Sequence, residues 1–255
     1  MARPRALAGR ALERLFADGL VLAILAAWWF AARGLPSFVL PSPMDVGLAL
    51  LRLFAARDFL IHTAASTVRV VASVLIAAAL ALVLAAGAEH SAALSAIIER
   101  RLLPVLNSFP AIGWAILVAI WLPPGDLGVV LVQVLILLPF CLVNLGEGWR
   151  ALDREAIEMG RSFTRSRGRL FLKVLLPLLC PYLIAAIRIS YGIAWKVALV
   201  SELFGADRGL GYLMLRAEVS SDSATVFATC LAIVLIFIAG EKLVIDRLAR
   251  LVPNP

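Results

Sequence analysis

Charge is scarce in this chain of 255 residues. Only 16% of its residues are charged, against roughly 25% in an average soluble domain. That scarcity excludes a disordered protein, which needs low hydrophobicity and high charge, and it excludes an ordinary cytosolic enzyme. Histidine is nearly missing: His62 and His90 stand alone, so no histidine cluster exists to hold a metal or relay protons. The three cysteines, Cys141, Cys180 and Cys230, lie far apart in apolar runs and form no CxxC pair. That removes a zinc site or a redox motif and leaves three small buried hydrophobes. The three lysines follow Leu172, Trp195 and Glu241, and none follows a glycine. A P-loop needs that Gly-Lys step, and HExxH and GxSxG are missing too. If this chain pumps, its energy comes from another chain.

What is abundant is apolar. Hydrophobic residues make up 62% of the chain and the mean hydropathy is +0.97. An integral membrane protein remains, with about 20 mostly apolar residues needed per span. Six apolar stretches are legible, at about 15–33, 64–88, 102–122, 127–146, 176–200 and 226–245. Each break carries a stop signal: Leu35-Pro36, Glu89-His90, Pro123-Pro124-Gly125-Asp126, the Arg-rich run after Trp149, and the acidic segment after Glu202. No stretch repeats at a fixed period. The expectation is an all-α membrane protein, one transmembrane domain over 1–255 with about six transmembrane helices. Arg3, Arg5, Arg10 and Arg14 before an Ala-rich run resemble a signal peptide, but Trp28-Trp29-Phe30 sits where small residues would flank a cleavage site. Those aromatics suit an interface belt, so the first stretch is read as retained.

The formal charge of +7 is distributed unevenly. With both termini placed in the cytoplasm, 16 of the 24 basic residues fall on inner segments and 5 on outer ones. The positive-inside rule favours that orientation. It also explains the basic balance without nucleic acid as a partner.

The largest inner segment, about 150–176, holds more than charge. Asp153 to Thr164 places Ala156, Ile157, Met159 and Phe163 near helical spacing, which describes a short amphipathic helix lying against something apolar. A second short helix is expected through Leu170, Phe171 and Val174, before Pro177 opens the next span.

At this loop the sequence resembles the permease subunits of bacterial ABC importers, within the nitrate, sulfonate, taurine and bicarbonate group. The family's cytoplasmic motif reads E-A-A, three residues, Gly, nine residues, I-x-L-P. Here it aligns as Glu158-Met159-Gly160, Arg161-Ser162-Phe163, Thr164, and Val174-Leu175-Leu176-Pro177. A register from Glu155-Ala156-Ile157 leaves Pro177 several residues too far away. The departures are Met159 and Gly160 for the two alanines and Thr164 for the glycine. The last puts the turn geometry in question, because glycine tolerates positive φ and threonine does not. Other fragments agree in order: Leu40-Pro41-Ser42-Pro43, Ser66-Thr67-Val68-Arg69, Phe109 to Trp114, Trp195, Glu202, and Gly209-Leu210-Gly211-Tyr212.

The resemblance implies a type I importer permease with a cytoplasmic coupling-helix loop. Glu158, Met159, Gly160, Phe163, Thr164 and Pro177 are then the residues that couple to an ATPase. Glu158 and its basic neighbours would bond in a groove on the ATP-binding subunit, with Met159 and Phe163 as apolar anchors. The implied partners are that subunit, a periplasmic substrate-binding protein, a second permease copy forming a homodimer, and membrane lipid. The chain itself needs no cofactor; ATP with magnesium belongs to the partner. The location is the bacterial inner membrane.

Arg188 and Lys196 lie inside the fifth apolar stretch, where charge is costly and usually faces a cavity or partner. Eight residues apart, they share a face, and with Trp195 they are candidates for a translocation path of a small anion. Arg69 is expected nearer the outer interface, with His62. Pro110, Pro139 and Pro181 are expected to interrupt helices, and Gly209 and Gly211 to shape the outer loop. The alternative, a secondary transporter or channel without an ATPase, predicts internal repeats and intramembrane carboxylates, and the sequence displays neither.

Overall fold

The computed structural model describes residues 4–164, 166–245 and 247. Among them every regular element is helical. In order they are α1 (Pro4–Arg33), α2 (Pro43–Ala55), α3 (Arg57–His90), α4 (Ala92–Ile97), α5 (Leu103–Ser108), α6 (Ala111–Trp121) and α7 (Asp126–Arg150), then α8 (Arg154–Phe163), α9 (Arg167–Leu170), α10 (Leu176–Gly205), α11 (Leu210–Val219) and α12 (Ser223–Gly240). Of the basic residues counted for orientation, Arg3, Arg165 and Arg250 lie outside the described residues.

Four helical runs are long and apolar enough to cross a membrane: Arg57–His90, Asp126–Arg150, Gly168–Gly205 and Ser223–Ile245. They contain the expected stretches at 64–88, 127–146, 176–200 and 226–245. The stretch at 102–122 is not one rod. It is split between Ala92–Ser108 and Ala111–Trp121, which bend by 88°. Pro110 is the cause. It has no N–H to continue the α5 ladder, and it biases the preceding residue away from helical ψ. Phe109 is accordingly extended, at φ −86° and ψ 126°. The stretch at 15–33 falls in α1. The described residues thus supply four spans, or five with the bent pair, where about six were expected.

Three helices occupy segments that the apolar pattern left blank, α2, α4 and α11. The first is started by a capping box: Asp45 N–H donates to Ser42 Oγ at 3.2 Å, and the Asp45 carboxylate accepts from Ser42 N–H. Pro139 and Pro181, expected to interrupt helices, sit inside α7 and α10, which run through them. The short helix expected before Pro177 is not separate either. α9 passes through a π-helical turn at Phe171–Leu175 into α10, and Pro177 lies just beyond that turn, inside the continuous rod.

The chain forms two compact units. One comprises Met1–Arg57 with Met214–Ala232. Its core is Val46, Ala49 and Ala228 under Trp28, whose indole N–H donates to Pro41 C=O at 3.0 Å. The other comprises Asp58–Leu213 with Ile233–Pro255. There α6, α7 and α10 pack through Ala115, Val118, Val132 and Val197. α7 and α10 run antiparallel: Gly125 N–H donates to Gly205 C=O at 2.9 Å, Cys141 Sγ lies 3.1 Å from Ser190 Oγ, and Tyr182 packs on Gly148.

A Cβ on Gly148 would stand 2.6 Å from Tyr182 Cγ, so the two helices meet at this distance because position 148 carries no side chain. Gly148→Val should destabilise the unit by about 1–3 kcal/mol through overpacking. Thermal melting in detergent should show the loss, and Tyr182→Ala in the same chain should recover part of it. A Gly148→Val protein that melts normally would disprove the contact.

Candidate functional site

The loop that the sequence singled out is built around α8. Asp153 caps it, its Oδ1 accepting from Glu155 N–H at 2.9 Å. The helix is strongly two-sided. Ala156 and Ile157 are half-buried and Gly160 is buried, while Glu158, Met159 and Phe163 are exposed. Met159 is 60% exposed and Phe163 84%, large values for apolar side chains one turn apart. Gly160 lies under the following helical run. A Cβ there would be 2.9 Å from Leu170 Cδ1 and 3.0 Å from Val174 Cγ2. α8 is therefore fastened to the start of the Gly168–Gly205 rod on one side and exposed on the other.

Thr164 ends the helix with φ −147° and ψ 131°, an extended conformation open to any residue. The turn asks for no positive φ, so threonine in the motif's glycine place costs nothing there. Its N–H donates to Gly160 C=O at 3.2 Å, and its Oγ1 accepts from Ser166 N–H at 3.3 Å. Beside α8 a groove of about 890 Å³ is lined by Glu89, His90, Trp149, Ile157, Arg161 and Phe171 among others. Pro177 is exposed, two turns into the rod from Leu170.

The three candidates on α10 do not converge. Arg188 faces Glu241, at the end of the last helix, across 3.6 Å. This acidic partner comes from a different helical run, Ser223–Ile245. Lys196 is exposed and has no ion pair among the described residues. Trp195 is buried, its ring edge-on to Tyr191 with centroids 6.3 Å apart.

The densest polar cluster stands at the other end of α10. Arg69, expected near an interface, is a buried hub, 2% exposed. Its Nη1 donates to Glu202 Oε1 at 3.0 Å and to Arg208 C=O at 2.6 Å, and its Nε donates to Asp126 Oδ1 at 2.7 Å. Glu202, 1% exposed, also accepts from Ser66 Oγ at 2.8 Å and from Gly211 N–H at 2.9 Å. Leu210 N–H donates to Ser66 Oγ at 2.8 Å and Gly209 N–H to His62 Nδ1 at 2.9 Å, which places the neutral imidazole's proton on Nε2. Three successive N–H groups at the start of α11 are thus received by α3 and α10, and the carboxylate sits at the positive end of the helix dipole. Gly209 adopts φ +122°, and a Cβ on it would collide with the Glu202 carboxylate. A Cβ on Gly211 would meet Glu202 Cβ at 2.7 Å and Leu199 C=O at 2.8 Å. The exposed arm of the cluster is Arg208, whose Nη2 donates to Asp126 Oδ2 at 2.6 Å; that bond holds the guanidinium above its ordinary value.

Sequence reasoning named these residues only as fragments of a resemblance. The signal for their union was available. His62, Ser66, Arg69 and Ser73 recur at helical spacing, and a lone arginine in an apolar span needs a partner. The arrangement fastens the backbone at the start of α11.

The pattern of the binding-protein-dependent transport system inner membrane component family matches residues 77–252. Among curated proteins, the putative aliphatic sulfonates transport permease protein SsuC of Bacillus subtilis is 28% identical over 91% of this chain and 84% of its own length. The taurine transport system permease protein TauC of Escherichia coli is 24% identical over 78% of this chain and 74% of its own. The formylaminopyrimidine transport permease protein ThiX of Halalkalibacterium halodurans is 27% identical over 86% and 87%.

Removing one partner of a buried ion pair leaves an uncompensated charge, at a cost of about 3–5 kcal/mol. Glu202→Ala should lower the melting temperature markedly and speed proteolysis of the segment at 206–211. Glu202→Gln, which keeps acceptors for Ser66 and Gly211, should lose less. Equal melting of all three proteins would mean that the clamp carries no stability.

Proposed function

The chain belongs to the family of binding-protein-dependent transport inner membrane components, and we propose that it is the permease of an ATP-driven importer that moves a small anion from periplasm to cytoplasm. The observation that carries this reading is the two-sidedness of α8. Met159 and Phe163 are presented outward while Gly160 is seated under Leu170 and Val174. An exposed apolar pair on a rimmed, charged helix suits a protein groove, and the seat lets a displacement of α8 act directly on the rod of α10.

In this proposal the whole of 1–255 works as one permease domain, and 150–176 is its coupling loop. An ATP-binding subunit takes Glu158, Met159 and Phe163 in a groove and supplies ATP with magnesium. A periplasmic binding protein delivers the solute, and a second copy of the chain completes the passage within the lipid. Both termini and α8 face the cytoplasm, consistent with the distribution of basic residues. The named relatives include two for sulfonates or taurine and one for a formylaminopyrimidine, so kinship alone does not select the solute. The anionic reading rests on Lys196, an exposed cation in an apolar span without an ion pair among the described residues.

Phe163→Asp and Glu158→Lys should each abolish or weaken co-elution with the ATP-binding subunit, by about 2–5 kcal/mol for a desolvated charge reversal, while the chain still inserts. Retained co-elution and normal stimulated ATP hydrolysis in both would refute the docking surface.

Cysteines placed at Ser162 and Ser166 should react with an impermeant thiol reagent only once the cytoplasmic face is opened. Labelling from outside intact cells would reverse the orientation.

A further inference from the structure

α2 is apolar on two opposite sides. Val46 and Ala49 are buried and pack with Ala228 of α12. At about 3.6 residues per turn, Met44, Leu48 and Leu51 fall within roughly 60° of one another, on the side opposite that seat. They are exposed by 62%, 45% and 68%. Asp45 and Arg52, both exposed, lie between the two sides. A helix on an aqueous surface buries one apolar stripe and turns its polar residues outward. Here the outward stripe is apolar and the polar residues sit at its flank.

Contacts within the same compact unit give the depth of α2. The run Ser223–Ile245 is long and apolar enough to cross a membrane, and Ala228 lies near its start. At a rise of about 1.5 Å per residue, the seat of α2 is about 7–8 Å along the axis from that start. An in-plane amphipathic helix settles about 5–10 Å into the boundary between headgroups and acyl chains. Trp28 marks the level independently. It stacks on Phe227, with ring centroids 5.9 Å apart, and its indole N–H donates to Pro41 C=O at 3.0 Å, just ahead of α2. Trp28, Trp29 and Phe30 stand near the end of α1, where Arg33 lies over the rings of Trp29 and Phe30. Clustered aromatics beside a cation belong to the headgroup level.

The polar side of α2 goes with the start of α12. Asp45 and Arg52 line a cavity of about 450 Å³ together with Ser221, Asp222, Ser223 and Thr225, where α12 begins. With that side toward water, the Val46–Ala49 seat and the stripe of Met44, Leu48 and Leu51 are the two flanks of a helix lying flat. The stripe then faces sideways, away from Ala228. On the side away from Asp45 and Arg52 it runs on to Gly47 and Phe54, which are uncharged. A protein interface closes its apolar core with a polar rim, whereas acyl chains require none.

We propose that α2 lies in the plane of the membrane where α12 begins, with Met44, Leu48 and Leu51 against the acyl chains of phospholipid. In the orientation given above this is the outer leaflet. With 13 residues α2 is too short to cross. It is an in-plane anchor that holds its unit at the boundary, with Asp45 and Arg52 in the water. The inference goes beyond the importer reading and needs only that α12 crosses the membrane.

The test uses Met44→Cys, Leu48→Cys, Leu51→Cys and Arg52→Cys, one at a time in the full chain, with Cys141, Cys180 and Cys230 replaced by alanine. Each cysteine receives a nitroxide, and the protein is reconstituted in vesicles of phosphatidylethanolamine and phosphatidylglycerol. Collisions of the nitroxide are then measured with oxygen, which concentrates among acyl chains, and with a nickel chelate, which stays in water. Oxygen collisions should dominate at positions 44, 48 and 51, and the ratio should reverse at 52. Dominant nickel collisions at 48 and 51 would put the stripe in water and overturn the proposal. Few collisions with either would show a second copy or another protein covering it, and would overturn the proposal equally. All four side chains are exposed, so each labelled chain should melt as its cysteine-free parent does. Should one position of the stripe fail to fold, the other two carry the same comparison against 52. Co-elution with an ATP-binding subunit is a separate measurement: its failure defeats the importer reading and leaves the collision ratios unchanged.

Discussion

The buried pair of Arg69 and Glu202 fixes more of this structure than any other contact. Each ion alone among apolar helices would cost several kcal/mol, and together they repay it only if every remaining donor and acceptor is used. They nearly are. Arg69 spends its guanidinium on Glu202, Asp126 and the Arg208 carbonyl, and Glu202 receives Ser66 and Gly211 as well. The consequence is geometric. α3, the start of α7, the end of α10 and the start of α11 are held at one point. The glycines at 209 and 211 follow from it, since no side chain fits between that carboxylate and the backbone that bonds to it.

The opposite end of α10 has the contrary character. Gly160 of α8 meets Leu170 and Val174 by apolar contact alone, and α8 shows solvent its Met159 and Phe163. Contacts of that kind have no directional bonds to break, so α8 can shift against its seat at small cost. One end of the rod is bonded and the other is packed.

The sequence made the spans legible because their signal is composition: runs near 20 apolar residues have few alternatives. The helix α8 was legible too, since amphipathic spacing survives without tertiary partners, but that spacing grouped Ala156 and Ile157 with Met159 and Phe163, whereas the first two are half-buried and the last two exposed. What it left blank depends on contacts between distant segments. α2 and α11 are short and only partly apolar; α2 is declared by Ser42 and Asp45, a capping signal that hydropathy does not weigh. Arg188 was read against its own helix, whereas its acid stands 53 residues on at Glu241. Arg69 was read from its neighbour His62, when its partner lies 133 residues away. Thr164 was doubted by analogy with glycine, and the backbone there is extended. The break at Pro110 was visible as a proline, but not that it would bend a span by 88° when Pro139 and Pro181 do not.

That difference among prolines has a physical origin. Pro139 and Pro181 lie within helices that are packed on both sides of the residue, so the loss of one backbone bond is held by neighbours. Pro110 follows the helical run Ala92–Ser108, and the chain leaves that run at the extended Phe109. Folding Phe109 back against Gly113 and Trp114 then recovers apolar contact, with the Phe109 and Trp114 rings 4.7 Å apart. The break is therefore supported on its inner side by aromatic packing and open on the other. In a bilayer an open backbone end needs water or protein beside it, so the membrane itself demands that something other than lipid face this side of the bundle.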